Sequence, residues 1–358
     1  MQPEKGDLWS PDGVAAMPAS PASLGYRMPA EWEKHDATLM SWPKNRDTFP
    51  SSIIGEVERA YVKMVDALSV GEEVRLLVDD EKAERRVSAM LRGRKNIAIH
   101  RLKTVDVWVR DYAPMWVRGR GLAVTKWAFN AWGGKYEDLK PDNDSGEAIA
   151  VSSGLPVYRP GIVLEGGSVD VNGKGTLLTT KQCLLNPNRN PGLGRDTIEE
   201  SLRANLGATR VVWLGSGIKG DDTDGHVDDV ARFVDQRTIA VAWESDSTDP
   251  NHAPLKENLR LLREADDQDD DILDIVTIPM PARLDSPYGR LPASHLNFYM
   301  GNATVLVPTF DSPTDSGALG TLRAYFPDRE VVGVDCRALV YGLGAIHCVT
   351  QQVPSARV

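Results

Sequence analysis

Apolar positions recur at steps of three and four in five segments of the chain, and a short β-type run follows each. In 53–69, Ile53, Ile54, Val57, Tyr61, Met64, Val65 and Leu68 share one stripe, which predicts an amphipathic helix. The segment 80–93 is charged but repeats Ala83, Val87, Met90 and Leu91. Segment 196–206 opens on Asp196 with Glu199 three residues later, a capping-box pattern, and closes at Gly207, a left-handed stop. Segment 254–265 starts at a proline, and 316–326 ends before Pro327. The β-type runs are 73–78, 96–102, 210–214, 272–278 and 330–334. Two hairpins are predicted between them, turning at Asn172-Gly173 and at Gly301-Asn302.

This alternation predicts one α/β unit with internal pseudo-symmetry, since no Pro/Gly linker divides the core. Residues 28–358 are expected to form a single domain. Residues 1–27 are rich in Pro, Ala, Ser and Gly, lack periodicity, and are expected to be a flexible arm. The acidic run Asp266–Asp271 reads as a solvated loop between a helix and a strand.

Composition narrows the classes. The 358 residues carry 41 Lys plus Arg against 51 Asp plus Glu, a net charge of −10. That argues against a nucleic-acid binder, which needs a basic face, and leaves room for a small cationic substrate. Apolar residues at 41% suffice for a sizeable core and exclude bulk disorder. Three cysteines, Cys183, Cys336 and Cys348, make no disulfide framework and no CxxC pair, so a cytoplasmic setting is expected. Residues 1–28 show no basic start followed by an apolar run, and no apolar stretch nears the ~20 residues that cross a bilayer. No membrane association is expected. Homo-oligomer formation is left open.

The unusual chemistry falls in loops. After Leu102 comes Asp106-Val107-Trp108-Val109-Arg110-Asp111. After Leu214 comes Gly220-Asp221-Asp222-Thr223-Asp224-Gly225-His226-Val227-Asp228-Asp229. After Val334 comes Gly342-Leu343-Gly344-Ala345-Ile346-His347-Cys348. A fourth site, Leu164-Glu165-Gly166-Gly167, sets a carboxylate beside two glycines. Loops leaving the same end of such units converge, and convergence builds active sites. If His226–Asp228 begin a strand, His226 and Asp228 share a face and Asp229 points away. The same rule separates His347 from Cys348, so the histidine serving Cys348 is sought elsewhere, with His226 best placed.

Each feature also has a plain structural reading. A lone buried cysteine is usually an inert core thiol. Asp111 after Arg110 reads equally as an ion pair, and Glu165-Gly166-Gly167 or Asp224-Gly225 as turns. Metal binding is the chemical competitor: His226-x-Asp228 has ligand spacing, and Asp111 and Glu165 would complete a site. Against it, HExxH and HxH are both absent.

At these loops the chain resembles the agmatine deiminase family, within the wider guanidine-modifying group that includes bacterial peptidylarginine deiminase. The likeness runs from about Met28 to Pro354. It is carried by Met28-Pro29-Ala30-Glu31-Trp32-Glu33, Trp108-Val109-Arg110-Asp111, Phe129-Asn130-Ala131-Trp132-Gly133-Gly134-Lys135, Glu165-Gly166-Gly167, Asn188-Arg189-Asn190-Pro191, Gly225-His226-Val227-Asp228, Asn297-Phe298-Tyr299 and Ile346-His347-Cys348. The resemblance implies a five-bladed α/β propeller of ββαβ units, the pentein-like architecture, around a central site. It implies that Cys348 is the nucleophile, His226 the general acid/base, Asp111 and Asp228 the guanidinium-binding carboxylates, Glu165 the partner of His226, and Trp108 a pocket wall. It implies conversion of agmatine and water to N-carbamoylputrescine and ammonia, in polyamine biosynthesis, with no metal or organic cofactor. The alternatives are deimination of another guanidine such as peptidyl-arginine, amidino transfer, or guanidine binding without turnover. The chain departs from the family pattern at Leu343-Gly344-Ala345, Asp224, Asp229, His295 and Tyr112-Ala113-Pro114, which bears on the substrate's tail.

Overall fold

The computed structural model describes residues 19–356. Five sheets share one wiring, in which an antiparallel strand pair is followed by a helix and a third strand parallel to the second. In one unit, Ala231–Phe233 pairs antiparallel with Thr238–Trp243, the helix His252–Arg263 crosses over, and Asp274–Pro279 returns parallel to Thr238–Trp243. The same order recurs around Leu122–Thr125, Thr176–Thr180 and Thr304–Thr309. The remaining unit joins the two ends of the chain. His35–Ser41 pairs antiparallel with the C-terminal strand Gln351–Pro354 and parallel with Glu73–Val78. The result is a mixed α/β fold.

Both hairpins and most helices fall where the pattern puts them. Val57, Tyr61, Met64, Val65 and Leu68 are buried on the helix Ile54–Leu68. The set of five helices differs in one member. The segment Glu81–Met90 is helical, but it precedes a fourth strand, Ile97–Arg101, added to the edge of the first sheet. The helix that belongs to the second unit is Asp142–Ser152, which the periodicity missed. Its sequence buries Ser145 and Gly146 alongside Ile149 and Ala150, so no apolar stripe is visible. Glycine inside a helix costs about 1 kcal/mol against alanine. Here it has a reason, because a Cβ on Gly146 would stand 1.8 Å from the Tyr112 carbonyl oxygen. The missed helix therefore packs tightly against the turn that carries Asp111.

Of the expected arm, residues 19–27 are described. They form a short turn at Ala22–Leu24, and Arg27 exchanges backbone hydrogen bonds with Arg118. Residues 1–18 lie outside the described residues. In the acidic run, Asp267 is buried and its carboxylate accepts the N–H groups of Asp269 and Asp271, so one carboxylate folds a loop whose other acids face solvent.

Candidate active site

The connection leaving each of the five units supplies one part of a common site. Asp111 comes from the first, Glu165 and Gly167 from the second, His226 and Asp228 from the third, Asn297 from the fourth and Cys348 from the fifth. The site residues foreseen in the sequence are all buried. Asp111, Trp108 and Cys348 also line a cavity of about 350 Å³. Asn297 was not foreseen as part of the site, although it stands on the one connection without an assigned residue.

Asp111 is fixed from two sides. Its Oδ1 accepts the Gly167 N–H at 3.0 Å and its Oδ2 accepts the Trp132 indole N–H at 3.0 Å. Trp132 reaches it from a left-handed turn, with φ +57° at Ala131 and +53° at Trp132. Such angles cost roughly 1–2 kcal/mol each for residues with a Cβ. Sequence periodicity carries no signal for a turn of this kind.

His226 and Asp228 do not begin a strand as expected. His226 caps a 3-10 turn, Val227–Asp229, because Asp221 and Thr223 organise the preceding loop. Asp221 accepts the N–H groups of Thr223, Gly225 and His226. The two side chains nevertheless face one point. A Cβ on Gly167 would lie 2.5 Å from His226 Nδ1 and 3.0 Å from both Asp111 Oδ1 and Asp228 Oδ2. Nδ1 lies 3.8 Å from Asp111 Oδ1, and Nε2 lies 3.9 Å from Glu165 Oε2. Glu165 is held from behind by Arg189, whose Nε donates to Oε1 at 2.8 Å. Gly166, its neighbour, packs against the Arg110 carbonyl, where a Cβ would come within 2.2 Å. The two glycines thus mark close backbone approach rather than a simple strand-end turn.

Cys348 and His347 sit in a turn, not a strand. They still diverge. His347 contacts Asp228 Oδ2 through Nδ1 at 2.7 Å and Glu31 Oε2 through Nε2 at 2.9 Å. It therefore holds Asp228 rather than the sulfur. Glu31 in turn accepts from Arg232 Nη2 at 2.9 Å and Arg110 Nη2 at 3.2 Å. Asp228 Oδ1 is buried without a hydrogen-bond partner. Cys348 Sγ lies 3.8 Å from Asp228 Oδ2 and accepts from Asn297 Nδ2 at 3.2 Å. The Asn297 amide cannot flip freely, because its Oδ1 accepts the His347 and Cys348 backbone N–H groups at 2.9 and 3.3 Å. Gly344 lets the Trp108 ring lie against Cys348; a Cβ there would be 2.4 Å from the indole and 3.1 Å from the Cys348 Cβ.

Charge dominates the site. Burial, then the Asp228 and Glu165 charges, push Asp111 up to about 6 against the pull of His226. Burial would raise Asp228 as well, but the His347 hydrogen bond and charge carry it below its usual value. Burial would lower His226, yet the Asp111 charge and the neighbouring Cys183 outweigh it and hold the imidazolium. Burial first, then Asp228, Asp229 and Asp111, lift the Cys348 thiol well above its ordinary range. The free protein at pH 7 therefore carries a neutral thiol, and raising the pH forms the thiolate. Alkylation of Cys348 by iodoacetamide is expected to be slow at pH 7 and to climb past about pH 9 without levelling. A plateau already reached below pH 7 would contradict that sign.

The profile of the Porphyromonas-type peptidyl-arginine deiminase family matches residues 27–354. The chain belongs to that family. Among relatives of this deiminase family, the agmatine deiminase of Stutzerimonas stutzeri is 35% identical over 367 residues, covering 96% of this chain and 99% of the relative. The solved structure of the Enterococcus faecalis agmatine deiminase superposes with a TM-score of 0.87 at 31% identity, covering 95% of this chain and 98% of that one. A C. jejuni agmatine deiminase structure gives 0.82 at 28% identity over 93% and 98% of the two chains. No helix among the described residues is long and apolar enough to cross a membrane.

Proposed function

We propose that this member of the deiminase family is an agmatine deiminase, converting agmatine and water to N-carbamoylputrescine and ammonia. One observation supports agmatine over other guanidines. Among the described residues, no Lys, Arg or His lines the cavity, whereas Asp47, Asp138 and Asp222 do, besides Asp111. A substrate ending in a carboxylate, such as free arginine or a C-terminal peptidyl-arginine, would meet carboxylates there and no cationic side chain among the lining residues. A terminal ammonium would meet opposite charge. The names of the relatives agree with this reading.

Asp111 and Asp228 grip the guanidinium by charge-assisted hydrogen bonds and balance its charge. The bound cation opposes the three carboxylates that hold the thiol neutral, so Cys348 loses its proton to solvent on substrate binding. The thiolate, with Asn297 Nδ2 on it, attacks the guanidinium carbon. His226 protonates the departing nitrogen, ammonia leaves, and a thiouronium remains on Sγ. His226 then takes a proton from water, the hydroxide adds to the same carbon, and collapse breaks the C–S bond, with the adduct's O–H proton passing to Sγ as the ureido carbonyl forms. Glu165, anchored by Arg189, steadies the charged His226. Trp108 walls the guanidine plane. Side chains supply the nucleophile, the acid and the base, so no step calls on a cofactor. A place in putrescine biosynthesis follows from the product. For the architecture, we propose that the five units close round a pseudo-fivefold axis as a propeller, on the strength of their shared wiring and of the pairing between the chain's two ends.

A panel of guanidines assayed for ammonia and ureido product tests this. Agmatine is expected to exceed arginine in kcat/KM by about a hundredfold or more, from the missing carboxylate repulsion. Comparable rates on arginine would overturn the substrate. Amidino transfer to an added amine without ammonia would overturn the reaction class. Turnover is expected to be undiminished in EDTA, and a loss restored by metal would contradict the side-chain mechanism.

A further inference from the structure

A group of ligand-type atoms meets at His226, away from the Cys348 sulfur. The Cys183 thiol, a Glu165 carboxylate oxygen and a His226 ring nitrogen lie within 4.8 Å of one another, and all three residues are buried. Cys183 is held in place by the Thr180 hydroxyl, which caps the short helix Lys181–Leu184 and accepts the Cys183 N–H at 3.2 Å. Cys348 stands apart from this group, with its sulfur turned to Asp228 and Asn297.

Among the converging nitrogen and oxygen atoms no nitrogen or oxygen partner is in place, and the His226 ring faces the Cys183 thiol itself. Glu165 Oε2 and both ring nitrogens of His226 are buried without a hydrogen-bond partner. Buried polar atoms are rarely left so. The Nε2 to Oε2 separation of 3.9 Å is too long for a hydrogen bond. It is close to the ligand spacing of about 3.3–3.8 Å around a tetrahedral ion with bonds of about 2.0–2.3 Å.

We propose that Cys183, His226 and Glu165 form a site for a thiophilic divalent cation of the zinc class, and that its occupancy silences the enzyme. A set of one sulfur, one nitrogen and one oxygen suits such an ion and is a poor fit for magnesium or calcium. Three protein ligands leave a fourth position for water. On binding, the metal–sulfur bond replaces the S–H bond and the metal–nitrogen bond replaces the N–H bond of the imidazolium. Both protons pass to solvent, and nothing is oxidised or reduced. The negative charge of the thiolate, Glu165 and the nearby Asp111 compensates the ion, with Arg189 on the far oxygen of Glu165 opposing it. The silencing half rests on the role of His226 proposed above, because the ion occupies the lone pair that the reaction needs. Since all three donors are buried, inhibition is expected to set in slowly.

The test uses the full-length protein carrying Cys348→Ser, so that the nucleophile's sulfur cannot report. Titration with Cd2+ is expected to raise a thiolate-to-cadmium ultraviolet charge-transfer band, which added Zn2+ competes away. Adding Cys183→Ser or Cys183→Ala should abolish the band; circular dichroism checks that each variant is folded, and Cys336 remains as an internal control. In protein with Cys348 intact, Cys183→Ser is expected to raise the zinc concentration for half-inhibition by at least about tenfold. No band in Cys348→Ser, or a band that survives loss of Cys183, overturns the site. Zinc inhibition indifferent to Cys183→Ser also overturns it and points to Cys348. A Cys183-dependent band without inhibition keeps the site and refutes His226 as the acid/base.

Discussion

Cys348→Ser is expected to lower agmatine turnover by about ten-thousand-fold or more while the protein stays folded and still binds guanidines. The reason lies in the surroundings of the sulfur. Three carboxylates and burial already lift the thiol, and the bound guanidinium has to bring it back within reach. A serine hydroxyl starts several units higher, and the same cation cannot bridge that gap. Serine is close to cysteine in shape, and Asn297 Nδ2 can donate to its oxygen as it does to Sγ. The proposed grip of Asp111 and Asp228 is untouched, so agmatine should still bind. Ammonia release, the thermal midpoint and equilibrium binding of agmatine together decide. Wild-type ammonia release from this variant would remove Cys348 as nucleophile. Loss of binding together with activity would point to a structural role.

The convergence of the candidate site residues was legible where chemistry announces itself by residue type. Cys348, His226, Asp111, Asp228 and Glu165 stand in short loops between apolar runs, and such loops in repeated units meet in space. The supporting shell was less legible. Asn297 holds its amide orientation through two backbone N–H groups 50 and 51 residues away in sequence, and Trp132 reaches Asp111 only through a left-handed turn. Glu31 and His347 looked like landmarks without a task. Their task is long-range: a buried chain of contacts from Arg232 and Arg110 through Glu31 and His347 ends on Asp228. Local pattern encodes a periodic face, but it does not encode a partner two hundred residues off.

The fold shows the same division. The helix Ile54–Leu68 buries its stripe against one core and is visible as a stripe. The helix Asp142–Ser152 serves close approach and capping instead. Asp142 accepts the N–H groups of Val105 and Asp106 at 2.6 and 2.9 Å, and Gly146 admits the Tyr112 carbonyl. It props the Asp111 turn, so its residues were selected for small size and polarity, and the 3.6-residue period is lost. The expected strand at His226–Asp228 failed for a related reason: Asp221 turns the backbone there, and a turn can aim two side chains at one point as well as a strand can.

Gly167→Ala is the most economical disruption of the whole arrangement. A single methyl at this position would stand 2.5 Å from His226 Nδ1 and 3.0 Å from Asp111 Oδ1 and Asp228 Oδ2, inside the contact limits of all three. It would also occupy part of the space between the carboxylates that the guanidinium needs. The φ of Gly167 is not in the left-handed region, so the backbone accepts alanine and the strain falls on the side chains. Overpacking of this kind costs about 1–3 kcal/mol of stability, which a chain of this size tolerates. Displacement of the imidazole or a carboxylate by about 1 Å costs about a hundredfold in rate. The expected result is a folded protein whose kcat/KM for agmatine drops by about a hundred- to a thousandfold, with both KM and kcat affected. Gly134, where an added Cβ meets nothing within 4 Å but φ is +76°, provides the contrast: Gly134→Ala strains the backbone and leaves the site clear. If Gly167→Ala keeps wild-type kinetics, then His226, Asp111 and Asp228 do not share the point at which the guanidinium reacts.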